Sequence, residues 1–253
     1  MEVTFLGTGT SGGVPLIGCQ CRVCKSTDPR DKRLRTSILI RKDDLTISID
    51  CGPDFRQQML REDVRYLDAV LMTHQHKDHT GGIDDIRSFN FLSRKAVDFY
   101  CDHLTELGIK EQYAYAFANT EYPYLPKMNF IRINDSPFNI GALHVVPIEV
   151  MHATMPVKAY HFGDFTFVTD AKTIAKEERD KIRGTKILVI NALRPEPHYS
   201  HLSIDEAIEI IDDIKPEQAY LIHMSHQFGL HAEVEKTLPA NIKVAFDGLK
   251  IKV

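Results

Sequence analysis

The stretch Thr73–Gly82, THQHKDHTGG, decides the reading of this chain. It follows Asp68–Met72, DAVLM, a short apolar run of the kind that forms a buried strand and delivers polar residues to the loop at its end. Within six positions stand His74, His76, Asp78 and His79. In an extended segment alternate side chains point the same way, so His74 and His76 converge on one point. Asp78 and His79, a little further round the bend, face a neighbouring one. Neutral imidazoles and a carboxylate are the donors that zinc, manganese and iron(II) accept where chemistry is done. The chain has 12 histidines in 253 residues, so three of them beside an aspartate at one strand end is not a chance density. The i, i+2 spacing does not suit one helix face, which separates the stretch from the helical H-E-x-x-H arrangement. Gly81 and Gly82 then let the chain turn away sharply.

Working outward, Val3–Leu6 reads as a strand that breaks into the glycine-rich Gly7–Gly13, GTGTSGG. Thr36–Asp50, TSILIRKDDLTISID, predicts two strands joined by a turn at Lys42, Asp43 and Asp44. Phe162–Thr169 predicts a hairpin, and Lys186–Ala192 and Gln218–Met224 predict two more buried strands. One helix is well signed: Ser203 and Glu206 form a capping box, apolar Ile204, Ala207, Ile208 and Ile211 follow at helical spacing, and Pro216 lies beyond the end. Lys172–Arg183 and Asp84–Leu92 are expected to be helical. Strands in both halves with interspersed helices, and no repeat or linker between them, predict one α/β domain over residues 1–253.

Composition bounds the function. A hydrophobic fraction of 43% with 26% charged residues supplies a sizeable core, and a net charge of −4 argues against a protein that coats nucleic acid. No apolar run approaches the roughly 18 residues of a membrane span. Met1–Gly13 lacks a basic region followed by an apolar run and a small-residue cleavage site, so a cytoplasmic protein without membrane contact is expected. The five cysteines are an odd number, and Cys19, Cys21 and Cys24 are spaced C-x-C-x-x-C. That pattern reads as metal binding before it reads as disulfides. Tetrahedral zinc needs a fourth ligand.

With its H-x-H-x-D-H motif at His74–His79, the chain resembles the metallo-β-lactamase superfamily of metal-dependent hydrolases. The resemblance implies an αββα sandwich of two mixed β-sheets flanked by helices, and its other motifs occur in order. A lone histidine after a later strand matches His152 in EVMHAT, a bridging aspartate after a hairpin matches Asp170 in FTFVTDAK, and a last histidine matches His223 in AYLIHMSH. Carried over, His74, His76 and His152 would hold one divalent ion, zinc or manganese. Asp78, His79 and His223 would hold a second, with Asp170 bridging the two. The nucleophile implied is a hydroxide between the ions. Asp50, in SIDCGPD, is expected to act behind the ligands or to cap a turn. The histidine at position 76 favours the hydrolytic branch over the flavo-di-iron members, which resemble H-x-E-x-D.

His226, three residues beyond His223, would complete Cys19, Cys21 and Cys24 as a closed structural zinc site, with His231 the second choice. The combination GTGTSGGVP, a C-x-C-x-x-C loop and two late histidines resembles one branch of the superfamily, phosphodiesterases of the carbon–phosphorus lyase pathway that cleave phosphoribosyl cyclic phosphate. The resemblance implies a small or cyclic phosphodiester as substrate. It also implies a general acid in the loop after Lys186–Ala192, for which His201 is first choice and His198 second. Asp78 joins these as a candidate catalytic residue, and Arg194 either balances phosphate charge or sits in solvent. The neighbouring branch that processes tRNA 3′ ends is the alternative within the class, so nucleic acid is possible but not favoured. A catalytically inactive, metal-stabilised binding protein is the alternative outside it. The six aromatics from Tyr113 to Phe130 suggest a pocket wall, a contact in the expected homodimer, or ordinary packing. Cys51 and Cys101 read as free thiols, buried or partly so, and His103, His144 and His161 as structural.

Overall fold

The computed structural model describes residues 1–118 and 122–253. Its first sheet takes β1 (Glu2–Gly7), β2 (Ser37–Lys42), β3 (Leu45–Ile49), β4 (Ala69–Leu71), β5 (Val97–Cys101) and β6 (Met128–Arg132). The second takes β7 (Phe138–Ile140), β8 (Leu143–His152), β9 (Met155–His161), β10 (Phe165–Phe167), β11 (Ile187–Asn191), β12 (Gln218–Ile222) and β13 (Ile242–Val244). The last strand, β14 (Lys250–Lys252), returns to the first sheet beside β1. Each sheet is mixed. The β1–β2–β3 and β7–β8–β9–β10 connections are antiparallel, whereas β3 to β6 and β10 to β13 run parallel.

Alternation along the strands sorts residues into layers. Val3, Phe5, Ile38, Ile40, Ile47 and Ile49 of the first sheet meet Tyr160, Phe165, Phe167 and Val189 of the second between the sheets. The opposite faces carry Leu39 and Val70 toward Phe55 of α1 (Phe55–Arg61), Phe89 of α3 (Arg87–Ser93) and Ile109 of α4 (His103–Gln112). Likewise Leu188 and Ile190 face Ala207, Ile211 and Ile214 of α6 (Ile204–Ile214). A fully buried side chain of this size contributes about 1.5–3 kcal/mol, so the four layers close on three apolar seams. This is the αββα sandwich expected. Among the described residues no helix is long and apolar enough to cross a membrane.

Several local expectations change in detail. The turn at Lys42–Asp44 forms with Asp43 at φ 52°, and the predicted hairpin pairs β10 back onto β9 through Phe162–Asp164. The expected helix Lys172–Arg183 shrinks to α5 (Lys176–Lys181), because Ala171–Thr173 is held as irregular chain. There Ala171 N–H donates to the Asn191 side chain, and Lys172 and Thr173 N–H donate to the Met151 carbonyl. Asp84–Leu92 divides into a 3₁₀ turn, Ile83–Ile86, and then α3. The His-rich loop contains a one-turn helix, α2 (Lys77–Thr80), and the chain closes with α7 (His231–Val234) before β13.

Candidate metal centre

Strand ends build the site. Asp50 follows β3, His74 to His79 follow β4, His152 ends β8, Asp170 follows β10 and His223 follows β12. Parallel strands leave their carboxyl ends at one edge of a sheet, where ligands gather in open α/β folds. Asp50, Asp170 and His223 have φ of 64°, 57° and 58°, and Ala153 beside His152 has 55°. A left-handed backbone at a non-glycine residue costs on the order of 1–3 kcal/mol and persists only where surrounding contacts impose it. Here it turns three polar side chains inward at the point where each strand stops.

Asp170 is the hub. Its Oδ1 lies 3.3 Å from His223 Nε2 and 3.8 Å from His201 Nδ1, while Oδ2 lies 3.2 Å from His79 Nε2. The same His79 nitrogen is 3.3 Å from Asp78 Oδ2. His74 packs against His76 and His79 with ring centroids 4.6 and 4.3 Å apart, and His76 lies 5.2 Å from His152. The structure therefore brings His74, His76, Asp78, His79, His152, Asp170 and His223 to one locus. The donor atoms that approach most closely group as His74–His79–Asp170, Asp78–Asp170–His223 and His152–Asp170–His201. His76 belongs to none of these groups and touches the cluster through its ring.

Hydrogen bonds behind the candidate ligands orient them. His79 Nδ1 donates to Asp50 Oδ2 at 2.6 Å and His152 Nδ1 donates to the Ser200 carbonyl at 2.9 Å. Both partners can only accept, so each ring keeps its Nε2 lone pair for the site. Asp50 is held in turn by the N–H and hydroxyl of Thr73, both at 2.8 Å. It therefore lies behind His79, one of the candidate ligands. The Thr169 hydroxyl donates to Asp170 Oδ2 at 2.6 Å. The buried Nε2 atoms of His74 and His79 have no well-directed hydrogen-bond partner. Buried polar atoms are otherwise almost always satisfied, and orphaned imidazole nitrogens among carboxylates are donors that could hold a divalent ion.

Electrostatics agree. Burial alone would strip His79 of its proton, yet Asp170, Asp78 and Asp50 around it hold its pKa well above the usual value. Burial likewise pushes Asp170 and Asp78 up, and the imidazoles beside them more than reverse it, leaving both carboxyls ionised. Three carboxylates facing one buried ring demand positive charge at this spot. Burial and then His79 push His74 well down, with Asp170 and Asp78 opposing them.

Of the candidate acids, His201 is the inner one. It is buried, its ring lies 4.5 Å from His152 and 4.9 Å from His223, and its Nδ1 is unpaired. Burial and then His223 push it down to about 3, so it is neutral here and gains a proton only with a negative charge beside it. His198 stacks outside it at 5.3 Å, and Arg194 is half-buried and donates to Gln227 Oε1 at 2.8 Å.

A second cluster lies three residues from His223. His226 Nδ1 is 3.3 Å from Cys19 Sγ and 3.5 Å from Cys21 Sγ, and Cys24 completes a group whose donor atoms all lie within 4.8 Å. Backbone N–H groups of Leu16, Cys21 and Cys24 point at the sulfurs of Cys24, Cys19 and Cys21. The Cys24 N–H and then His226 pull the Cys21 thiol down to about 6, while burial pushes Cys24 up to about 11. His231 is elsewhere. It begins α7, bonded through Nε2 to Glu235 at 2.8 Å and lying beside the buried Arg33. Cys51 and Cys101 are buried in the first sheet's outer seam, where burial raises both thiols, Cys101 to about 12.

Sequence reasoning missed the hydroxyls of Thr10, Thr36, Thr73 and Thr169 and the Ser200 carbonyl, all in contact with candidate ligands or with Asp50. Only the TH and TD pairs, Thr73-His74 and Thr169-Asp170, offered a signal. In the aromatic segment, buried Tyr113 donates its hydroxyl to the Thr80 carbonyl at 2.7 Å, seating α4 on the His-rich loop. Residues 119–121 of that segment lie outside the described residues.

A profile of the beta-lactamase superfamily domain matches residues 46–224. A protein of Porphyromonas gingivalis (strain ATCC BAA-308 / W83) named octanoyltransferase is 42% identical over 253 residues, which is 99% of this chain and 51% of that protein. Ribonuclease Z of Metallosphaera sedula (strain ATCC 51363 / DSM 5348 / JCM 9185 / NBRC 15509 / TH2) is 26% identical over 164 residues, 63% of this chain and 47% of that protein. This chain thus spans about half the length of these curated relatives. Among solved structures, a new diphosphatase from the PhnP family superposes with a TM-score of 0.93 at 36% identity, covering 100% of this chain and 97% of that one.

Proposed function

This chain belongs to the beta-lactamase superfamily, and from that premise we propose that it is a metal-dependent phosphodiesterase acting on a small or cyclic phosphodiester. The observation that carries the reading is the buried cluster around Asp170, with unpaired imidazole nitrogens facing carboxylates. In this reading His74, His76 and His152 would hold one divalent ion and Asp78, His79 and His223 another, with Asp170 a candidate ligand to both. When bound, such ions supply Lewis acidity to phosphoryl oxygens and acidify the attacking water. Asp50, Thr73 and the Ser200 carbonyl keep the rings aimed. His201, beside His152 and His223, takes a proton from solvent once the phosphate's charge lies beside it and gives that proton to the leaving oxygen. Cys19, Cys21, Cys24 and His226 hold a structural zinc that pins the N-terminal loop to the loop after β12.

Zinc or manganese at the centre, a cytoplasmic location and a homodimer belong to the same reading. Leu104, Leu107, Tyr115 and Phe117 on α4 and the turn after it offer exposed apolar surface for a dimer contact. A second reading, a diphosphate substrate, is favoured by the name of the PhnP-family relative. Processing of tRNA 3′ ends draws on the ribonuclease Z likeness and ranks below both. The name octanoyltransferase describes a protein about twice the length of this chain and is not carried over.

A panel of aryl, cyclic and linear phosphodiesters, a dinucleoside diphosphate and a precursor tRNA, assayed with Zn²⁺ or Mn²⁺, separates these. Turnover is expected on a cyclic or small phosphodiester, and the His201→Ala variant should lose about 10²–10⁴-fold in kcat while keeping its ions. No turnover on any phosphoester contradicts the proposal, and loss of metal in His201→Ala contradicts the role of His201.

A further inference from the structure

The Nδ1 side of each imidazole decides whether Nε2 offers a lone pair to an ion. For His79 and His152 the partner is an obligate acceptor. For His74 and His223 it is a threonine hydroxyl, at 3.0 Å from Thr73 and 3.2 Å from Thr36. A hydroxyl can donate or accept, but it has one hydrogen. Thr73 gives its hydrogen to Asp50 Oδ2 at 2.8 Å, and Thr36 gives its own to the Gly9 carbonyl at 2.9 Å. Each oxygen is then left with lone pairs only, and the imidazole nitrogen facing it must carry the proton.

We infer that Thr36 is a positioning residue of the metal centre: its hydroxyl, with its hydrogen held by the Gly9 carbonyl, fixes His223 as the Nδ1–H tautomer and presents Nε2 to the ion. The inference rests on the reading of His223 as a ligand. It is notable for where the two residues lie. Thr36 enters β2 of the first sheet and His223 leaves β12 of the second, so the hydroxyl bridges the sandwich. The acceptor of its hydrogen is itself fixed. Gly9 N–H donates to the Leu34 carbonyl, Thr36 N–H also donates to the Gly9 carbonyl, and flanking Thr8 and Thr10 exchange backbone bonds with Met224. A Cβ at Gly9 would press on the Arg33 side chain and on the Arg33 and Leu34 carbonyls at 3.0–3.1 Å, so this ladder needs glycine there. On the other face of the ring, Nε2 looks toward Asp170 Oδ1 at 3.3 Å and the Thr10 hydroxyl at 3.1 Å. The GTGTSGG segment, a turn with no assigned purpose in the sequence, thereby acquires one: its Gly9 carbonyl sets the donor atom of a histidine 214 positions away, since 223 − 9 = 214.

The test reads the wild-type protein, with one variant used for assignment. Long-range ¹H–¹⁵N correlation spectra of ¹⁵N-histidine-labelled, metal-free protein at neutral pH report each tautomer, and the His223 signals are those missing from His223→Gln. A protonated Nδ1 and a bare Nε2 are expected, and a protonated Nε2 overturns the inference. Zn²⁺ should then shift His223 Nε2. If Zn²⁺ leaves the wild-type His223 signals unmoved while the tautomer is as stated, the reading of His223 as a ligand fails, and the positioning role falls with it. Thr36→Val should weaken Zn²⁺ binding, measured by chelator competition, by about 10–100-fold, and Thr36→Ser should restore it. Wild-type affinity and tautomer in Thr36→Val would overturn the role of Thr36 while leaving the metal centre standing.

Discussion

At the scale of the residue, Asp50 shows how the centre is held. It is fully buried and its carboxylate accepts two bonds from Thr73 and one from His79. Burial raises its pKa and His79 opposes that, so the carboxylate and the imidazole share one short bond. Asp50→Asn keeps the shape but turns an amide donor toward a ring that must donate. Metal affinity or activity should fall about 10–100-fold, read by chelator competition beside the assay. Unchanged affinity would mean that His79 needs no anchor. The seven candidate ligands were legible in the sequence because few residue types bind metals and their order along the chain is distinctive. The threonines were not legible. A hydroxyl has no characteristic spacing, and Thr36 meets His223 only because two sheets stack.

At the scale of the element, α6 carries the loop that presents His201. Ser203 and Glu206 form the reciprocal cap that the sequence predicts, with Ser203 accepting from Glu206 N–H at 3.3 Å and Glu206 accepting from Ser203 N–H at 2.8 Å. Lys172, close behind Asp170, ties to the same Glu206 at 2.6 Å. Ser203→Ala should cost about 1 kcal/mol in denaturant titration and lower turnover through His201, with the ion count unchanged. A loss of stability without any change in turnover would separate the cap from the site. Capping boxes are legible because both partners are local. The fate of Lys172–Arg183 was not, since its first residues are captured by Met151 and Asn191, which are distant in sequence. Tertiary bonds there override helical preference.

At the scale of the whole molecule, the two ends of the chain are joined beneath the centre. Buried Arg33 donates to the Thr8 hydroxyl and the Ala245 carbonyl, and Asp247 accepts from Thr8 and from Leu34 N–H. Burial pushes Asp247 up to about 6 against the pull of its hydrogen bonds and of Arg61 and Arg33. A carboxyl raised in the fold binds its proton there at pH values where the unfolded chain has released it. Its stabilising contribution is therefore complete below about 4 and is lost as pH rises through about 6. Asp247→Asn should flatten the fall in Tm across that window, measured by calorimetry at several pH values, and an unaltered slope would remove Asp247 as its source. The cysteine cluster joins the same ends, so Cys21→Ser should lower Tm first and activity only through displacement of His223. Full stability together with full activity would leave the cluster without a structural role. The four-layer architecture was legible from strand patterning and motif order, and so was His226 as the first choice beside the cysteines, whereas placing His231 elsewhere needed the fold.

Metal content per chain tests the central claim most directly. Protein purified without chelator and reconstituted with Zn²⁺ should carry three ions per chain, and Asp170→Ala should keep one, at the cysteines, and lose the two that Asp170 joins together with phosphodiester turnover. A count of one in the wild-type protein, or full occupancy in Asp170→Ala, would contradict the account.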